Sequence, residues 1–432
     1  MTRHRRPPAP VERIVPGLER IRAALAEAGN PERTFQAIHV AGTNGKGSTS
    51  VVAASILGQL PGARVGLYTS PHLLSPTERI RIDGHPIPGR ELDRLIRRAG
   101  ALSVETGPGT GEPLSWFEQM TYAAFCWFGK KKVPLAVLET GLGGRWDATT
   151  ACRPVVTVVT TIGIDHVAWL GHTIKAIAAE KAGIFKPGVP VVLGRIGRAA
   201  RAVLSARAQD TGSPVWELGR DFGHEPAGHR KIRIRLPGLS IPPIWLKLAG
   251  AFQYDNAAVG CAAAWWYAVI AGISPDRFST AAVKGLSEVS WPGRLSPLPG
   301  KGNRGTWVDG AHNPDGARML ANEIVSGEAF AGKRPVVALW SMLSDKDIAG
   351  FIRQMSPAVD HWVAYPLQHD RAAPLTTLTG ACRRVRASFE SAVDFGEAWQ
   401  LARARAGSEG VVIVCGSLVA VADAYSERVG HL

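Results

Sequence analysis

His39-Val40-Ala41-Gly42-Thr43-Asn44-Gly45-Lys46-Gly47-Ser48-Thr49 is the stretch on which the fold turns. A buried-strand pattern from Thr34 to Val40 runs into three glycines and a lysine, and a helix is expected from Ser48 to Leu60. Strand, glycine-rich loop and helix in that order aim backbone N–H groups and the positive end of a helix dipole at one spot, which suits phosphate oxygens. Lys46 adds a point charge. Gly42, Thr43, Asn44, Gly45, Lys46, Gly47, Ser48 and Thr49 are therefore the candidate phosphate cradle. The general phosphate-loop pattern puts Ser or Thr directly after the lysine, and here Gly47 stands there. The competing reading is a plain turn with a surface lysine, and the density of glycines weighs against it.

Further short β-branched runs lie at Arg64–Thr69, Val133–Glu139, Val155–Thr160 and Pro190–Leu193, with helical patterns such as Phe117–Phe128 and Thr173–Ala182 between them. That alternation predicts an α/β fold: a mostly parallel sheet of the phosphate-loop type with helices on both faces. Arg230–Leu248, broken by Pro237, Gly238, Pro242 and Pro243, reads as a small antiparallel elaboration. The texture breaks at Ser290-Trp291-Pro292-Gly293 and resumes with strands at Thr306–Asp309, Pro335–Trp340, His361–Tyr365 and Val411–Cys415. The expected organisation is a first domain over 1–290, a linker over 291–304 and a smaller C-terminal Rossmann-like α/β domain over 305–432.

Three more runs place chemistry at strand ends, where open α/β sheets bind ligands. In Val137-Leu138-Glu139-Thr140-Gly141-Leu142-Gly143-Gly144-Arg145-Trp146-Asp147 the carboxylate of Glu139 is placed to hold a hard cation such as Mg²⁺. The same position equally fits a solvated strand-end glutamate. Thr160-Thr161-Ile162-Gly163-Ile164-Asp165-His166 brings His166 to the same sheet edge, although a lone histidine is more often structural. Val308-Asp309-Gly310-Ala311-His312-Asn313-Pro314 offers Asp309 and His312 at the first strand end of the second domain, while Asp-Gly alone is also a turn signal.

Composition narrows the class. The chain has 432 residues, 45% hydrophobic and 20% charged, the profile of a globular protein with two or three domains. Five scattered cysteines without a Cys-x-x-Cys pair argue against zinc and against a disulfide framework, so a reducing cytoplasm is expected. Met1–Pro10 is basic and proline-rich, with no apolar core behind it, and does not read as a signal peptide. Ala257–Ile273 carries no charge but is rich in Ala and Gly, and reads as a buried helix rather than a membrane span. The net charge of +14 comes from 37 arginines and 13 lysines, dense only at Arg3–Arg6, Lys130–Lys132 and Arg383–Arg386. No nucleic-acid module accompanies them, so small anionic ligands are favoured over nucleic acid.

Taken together, the four runs resemble the dihydrofolate synthase/folylpolyglutamate synthase family, a branch of the Mur-ligase superfamily, over nearly the whole chain. Tyr68-Thr69-Ser70-Pro71-His72-Leu73 and Glu78-Arg79-Ile80 are similar to its mobile loop, and Gly250-Ala251-Phe252-Gln253-Tyr254-Asp255-Asn256-Ala257 to its nucleotide-contacting segment. Trp291-Pro292-Gly293-Arg294 resembles its linker, Ser344-Asp345-Lys346-Asp347 a C-terminal turn, and Cys415-Gly416-Ser417-Leu418 the last strand end. Gly47 after the lysine, where cell-wall members carry Thr, points to the folate branch. Phe252 departs from a frequent His, and Thr150 from the Asn that usually follows Asp-Ala-Thr.

The resemblance implies an ATP-dependent ligase joining L-glutamate to dihydropteroate or reduced folates through an acyl phosphate. It implies that Lys46 and its loop bind the β- and γ-phosphates, and that Ser70, Glu139 and His166 arrange two Mg²⁺ ions. Asn256, Arg294, Asp309 and His312 would contact the nucleotide, and Ser70, Pro71 and His72 would form the substrate loop. Lys181 matches a lysine the family carries carbamylated, against the plain reading of a solvated helix lysine; Lys46, Lys181 and His166 are the implied catalytic set. A monomer with small-molecule partners, and neither nucleic acid nor membrane, completes the expectation. The rival readings are a Mur-type ligase for another carboxylate and a nucleotide-dependent nucleic-acid-binding protein.

Overall fold

The computed structural model describes residues 16–102, 113–228 and 231–430. The expectations for Met1–Pro10 and Arg3–Arg6, and the Arg230 end of the antiparallel segment, lie outside them. The chain divides into two compact units, Met1–Lys247 with Gln253–Ser290, and Leu248–Phe252 with Trp291–Leu432.

The first unit is built on an eight-stranded sheet. Its strands are β1 (Gln36–Ala41), β2 (Val65–Tyr68), β3 (Ile80–Ile82), β4 (His85–Pro86), β5 (Leu135–Glu139), β6 (Pro154–Thr161), β7 (Val191–Arg195) and β8 (Val215–Glu217). They lie in the order β4-β3-β2-β5-β1-β6-β7-β8. The ladders from β2 to β8 are parallel, and β3 and β4 close one edge antiparallel. Successive strand side chains point to opposite faces, and Ala37 through Ala41 are all fully buried, so β1 is covered on both.

On one side, helices α1 (Glu19–Glu27), α3 (Gly89–Gly100) and α4 (Trp116–Lys130) share a core with Ala37, Tyr68, Ala136 and Leu138. Helices α6 (Ile174–Lys181) and α7 (Arg198–Asp210) pack with Ala41, Val159 and Leu193. Helix α2 (Lys46–Leu57) follows the glycine-rich loop and is approached closely by α8 (Phe252–Ile270) and α9 (Pro275–Glu288). A Cβ on Gly285 would stand 2.6 Å from Ile56 Cα, so only glycine permits that approach. The short α5 (Val167–Leu170) precedes α6.

Strands β9 (Gly223–Pro226), β10 (Lys231–Leu236) and β11 (Leu239–Trp245) form the separate antiparallel sheet. It begins one strand earlier than expected, because Gly223–Pro226 has no alternating apolar pattern to show it. The charge-free segment is helix α8, which starts at Phe252; it is buried through its centre, but Val269 and Ile270 emerge 49% and 48% exposed. Among the described residues no helix is long and apolar enough to cross a membrane.

The second unit carries a six-stranded sheet of β12 (Ser296–Pro297), β13 (Thr306–Val308), β14 (Val336–Trp340), β15 (His361–Ala364), β16 (Phe389–Ser391) and β17 (Val411–Cys415). Their order is β12-β13-β17-β14-β15-β16, parallel except for β12. Helices α10 (Pro314–Ser326), α11 (Ile348–Met355), α12 (Leu375–Arg384), α13 (Phe395–Ala406) and α14 (Leu418–Arg428) alternate with the strands. Residues 291–304, read from sequence as a linker, include β12, whose Ser296 pairs with Val308, so that part is sheet in the second unit. The mixed α/β architecture with a larger parallel-rich sheet first and a second α/β unit after it is the one expected.

Candidate functional site

Strand β1 lies between β5 and β6, and all three run the same way. The glycine-rich loop therefore leaves the sheet flanked by the tips of both neighbours, with Val40 paired to Glu139 and Ala41 to Val159. Two threonines at the tip of β6 shape the loop. Thr160 Oγ1 donates to the Asn44 carbonyl at 2.7 Å, and Thr161 Oγ1 accepts from Asn44 N–H at 3.0 Å. Thr43 N–H reaches Thr161 O at 2.8 Å, and Gly163 N–H donates to Thr43 Oγ1 at 3.0 Å. Gly42 has φ 153° and lies so close that a Cβ would sit 1.9 Å from Thr160 Oγ1; one on Gly45, φ 87°, would sit 2.3 Å from Asn256 Oδ1. Asn256 is thus seated against the loop and donates from Nδ2 to Gln253 Oε1 at 2.9 Å.

The helix begins at Lys46, not at Ser48 as the sequence suggested. Gly45 takes the left-handed conformation that L residues resist, so helical geometry starts at once. The first bond of the helical ladder is Thr49 N–H to Gly45 O at 2.9 Å. The N–H groups of Lys46, Gly47 and Ser48 stay outside that ladder at the positive end of the helix. Ser48 and Thr49 are buried in this first turn, and the buried Thr49 hydroxyl has no hydrogen-bond partner among the described residues.

Two lysines converge on one carbonyl. Lys46 Nζ donates to Gly42 O at 3.0 Å and to Thr43 O at 3.3 Å, and Lys181 Nζ donates to the same Gly42 O at 2.8 Å. Lys181 is not the solvated helix residue of its plain reading: it is 4% exposed. Burial, and then the charge of Lys46, pull its pKa down to about 7, against the opposing charges of Asp165 and Asp147. The neutral amine is therefore far more accessible near pH 7 than in a solvated lysine.

Glu139, at the tip of β5, is 3% exposed and accepts the Ser70 N–H on Oε2 at 3.0 Å. The Ser70–Pro71 peptide is cis, and His72 accepts Arg79 Nε–H on Nδ1 at 2.9 Å. Glu78 gathers the N–H groups of Leu73, Leu74 and Ser75, which ties the same loop down. His166 caps α5 at φ 51°, with its ring nitrogen 3.9 Å from Asp165 and its side chain 37% exposed. Ser70 and Glu139 are brought together; His166 stands at the edge beside Asp165. Among the described residues no three His, Cys, Asp or Glu side chains gather as a ready metal cage. The carboxylate and hydroxyl oxygens of Glu139 and Ser70 suit magnesium, which keeps several waters and phosphate oxygens of its own, and the His166 imidazole fits best as a hydrogen-bond partner of such a water.

A network that the sequence reading passed over anchors the turn after Glu139. Asp147 Oδ2 accepts from Gly141 N and Leu142 N at 2.8 and 2.9 Å, and Oδ1 takes the Thr149 hydroxyl at 2.5 Å. Because that hydroxyl donates to the carboxylate, it accepts from His39 Nε2 at 2.8 Å. Burial and the nearby charge of Lys186 hold the His39 pKa down at about 3, so the ring is neutral. Thr150 donates to Gly144 O at 2.6 Å and braces the same turn. The strand-buried His39 and the Asp-x-Thr spacing were the available signals.

In the second unit Asp309 is buried and receives Leu295 N–H and Ala311 N–H, both at 2.7 Å. Burial raises its pKa, while Arg294 and the two backbone donors oppose the rise. His312 bonds Gly310 O through Nδ1 at 2.8 Å, which puts a proton on Nδ1. Asp309 therefore works on the backbone that carries Arg294 and His312. Asn313, Asp347 and Ser417 are helix N-caps.

A parallel-sheet unit with a lysine-bearing phosphate loop and a carboxylate at the adjoining strand tip, followed by a second α/β unit, defines an ATP-dependent ligase of the Mur type. The family described as Mur ligase, glutamate ligase domain, matches residues 293–418. The dihydrofolate synthase/folylpolyglutamate synthase of Bacillus subtilis is 34% identical over 95% of this chain and 94% of its own length. The structure of Mycobacterium tuberculosis folylpolyglutamate synthase complexed with ADP superposes with a TM-score of 0.87 at 31% identity, covering 96% of this chain and 95% of that one. The bifunctional enzyme of Yersinia pestis complexed with AMPPNP and Mn ion gives 0.80 at 31% identity, covering 97% and 95%. The chain belongs to the dihydrofolate synthase/folylpolyglutamate synthase family.

Proposed function

We propose that this protein joins the amino group of L-glutamate to the carboxylate of dihydropteroate, of reduced folates, or of both, consuming ATP and releasing ADP and phosphate. The observation that carries the reading is the loop on which Lys46 and Lys181 meet at Gly42 O beside the Glu139 tip. The relatives' activities, and the nucleotides and divalent metal held by the structural neighbours, support it.

A carboxylate is inert toward an amine until an oxygen is turned into a leaving group. The loop N–H groups of Lys46, Gly47 and Ser48 hold the β- and γ-phosphates, and the Lys46 ammonium balances charge on the γ-phosphoryl group as it moves to the acceptor carboxylate. Ser70, Glu139 and His166 would hold Mg²⁺, two ions by family resemblance, and the metal supplies charge neutralisation on the phosphates when bound. The glutamate amine then attacks the acyl carbon; the C–N bond forms, the C–O bond to phosphate breaks, and the amine proton leaves to solvent. The loop of Ser70, Pro71 and His72 is read as the acceptor-side loop. Asn256 in the first unit, and Arg294 and His312 in the second with Asp309 bracing them, are read as nucleotide contacts.

Lys181 fits a carbamate. Its lowered pKa makes the neutral amine accessible near pH 7, and addition of CO₂ forms an N–C bond with loss of one proton. The remaining N–H keeps the bond to Gly42 O, and the new carboxylate becomes an oxygen donor for metal. A cytoplasmic, single-chain enzyme is the setting proposed.

The deciding experiment measures glutamate-dependent phosphate release from ATP with dihydropteroate, with tetrahydrofolate and with no acceptor. Release above the acceptor-free rate with either folate-type acid is expected. Release with neither, but with another carboxylate, would transfer the chain to the wider Mur-ligase class.

A further inference from the structure

Asp255 stands in the first turn of α8, one residue before Asn256. Two distant stretches of chain meet on its carboxylate. Arg195, the last residue of β7, donates from Nε to Oδ2 at 2.6 Å and from Nη2 to Oδ1 at 2.9 Å. His224, on β9 of the separate antiparallel sheet, lies with Nε2 2.9 Å from Oδ1. An ionised carboxylate only accepts, so that nitrogen carries a proton. Burial works to raise the Asp255 pKa, but the bonds from His224 and Arg195 outweigh it and hold the carboxyl below its ordinary value. A two-pronged guanidinium–carboxylate contact fixes direction as well as distance. Arg195 lies largely open, but the Asp255 and His224 side chains are only 19% and 20% exposed, so water screens this cluster less than it does a surface ion pair.

The cluster fixes where α8 enters beside the phosphate loop. Arg195 is paired with Thr161 at the tip of β6, and Thr161 holds the Asn44 N–H of the loop. On α8, Asn256 Oδ1 stands 2.3 Å from where a Cβ on Gly45 would lie, and one turn later a Cβ on Gly260 would meet Thr49 O at 2.8 Å. The helix therefore rests against both the loop and the first turn of α2. Those contacts are steric and set closeness rather than register. The Asn256 amide bonds to Gln253 Oε1 on its own helix, which does not tie α8 to the sheet. Asp255 supplies that tie, because its partners sit on β7 and β9.

On the reading of Asn256 as a nucleotide contact, we infer that Asp255 is a positioning residue: gripped by Arg195 and His224, it sets the register of α8 and so the placement of Asn256 against the phosphate loop. The antiparallel sheet, which carries no part of the ligation chemistry, then serves as a buttress of the nucleotide site.

The test is titration of the full chain with ADP and Mg²⁺, alongside steady-state ligation. Asp255→Asn keeps the shape and removes the charge. It should weaken ADP binding about tenfold and raise the Michaelis constant for ATP by a like factor, with kcat and the constant for the folate-type acceptor within about twofold of the parent. His224→Ala should behave alike, whereas His224→Gln, whose amide still donates, should recover most of the affinity. In the Asn256→Ala background, Asp255→Asn should cost little further, because one residue acts through the other.

Parent-like ADP affinity in Asp255→Asn would overturn the inference, as would losses that add fully to those of Asn256→Ala. An equal fall in kcat and in affinity for both substrates, with a lowered urea midpoint, would reduce the cluster to a fold contact and overturn it too. If Asp255→Asn does not fold, the His224 pair decides: Ala weakened and Gln restored supports the assignment, and two variants alike overturn it. A parent chain that binds no ADP would bring down the nucleotide reading itself, before any variant is compared.

Discussion

Lys46 and Lys181 reach the same carbonyl, yet their surroundings give them different work. Lys46 Nζ also spans to Thr43 O, and Lys46 is the first helical residue, where a fixed positive charge would serve the proposed phosphate site. Lys46→Ala should lower the rate of ATP-dependent ligation about 100-fold or more, the usual cost of removing a positioned transition-state donor, with an unchanged circular dichroism spectrum. A near-parental rate would remove the phosphate-loop assignment. Lys181 is the pH-sensitive member. Its folded pKa, about 7, lies below the ordinary 10.5, so between those values the unfolded chain binds more protons than the folded one. Its contribution to stability therefore rises with pH from about 7 to 10.5, and below that window the buried charge is a standing penalty. In CO₂-free buffer, urea midpoints of the parent should climb relative to Lys181→Met between pH 7 and pH 10. Parallel curves would contradict the buried-amine geometry. For the metal, Glu139→Gln and His166→Ala should each raise the magnesium concentration needed for half-maximal rate; identical titrations for all three proteins would make both residues structural.

At the level of elements, the site depends on how closely α2 can be held against its neighbours. Gly285 brings α9 to within 2.6 Å, counted from an added Cβ, of the Ile56 backbone. Gly285→Ala should destabilise the protein by about 1–3 kcal/mol through overpacking, since the obstacle is backbone and cannot rotate away. Chemical denaturation checks this, and a variant of unchanged stability would show that the two helices can separate at little cost. Helix, strand and loop identities were legible because glycines and strand-end polar residues punctuate apolar runs. The start of α2 at Lys46 was not, because the left-handed turn at Gly45 is a conformation that neighbours impose. Strands β3, β4, β8, β9, β12 and β16 were also missed: two to four residues of pairing leave no period to read.

For the whole molecule the excess of basic charge is the simplest lever. With a net charge of +14, approach of anionic acceptors should be favoured electrostatically and screened by salt. The Michaelis constant for the folate-type acid should rise severalfold between about 0.05 and 0.5 M KCl, with little change in kcat, as the Debye length shortens. A salt-independent constant would restrict the charge to other roles. The sequence by itself determined the glycine-rich loop between β1 and α2, the polar residues at the tips of β5 and β6, and the two-part α/β plan, because each is written in a few adjacent residues. Only tertiary structure decided that β1 runs between β5 and β6, that Lys181 crosses 139 residues to share Gly42 O with Lys46, and that Asp309 serves its own backbone. The reason is physical: strand order in a parallel sheet, and the burial that shifts a pKa, arise from packing between segments far apart in the chain, and no local pattern records them.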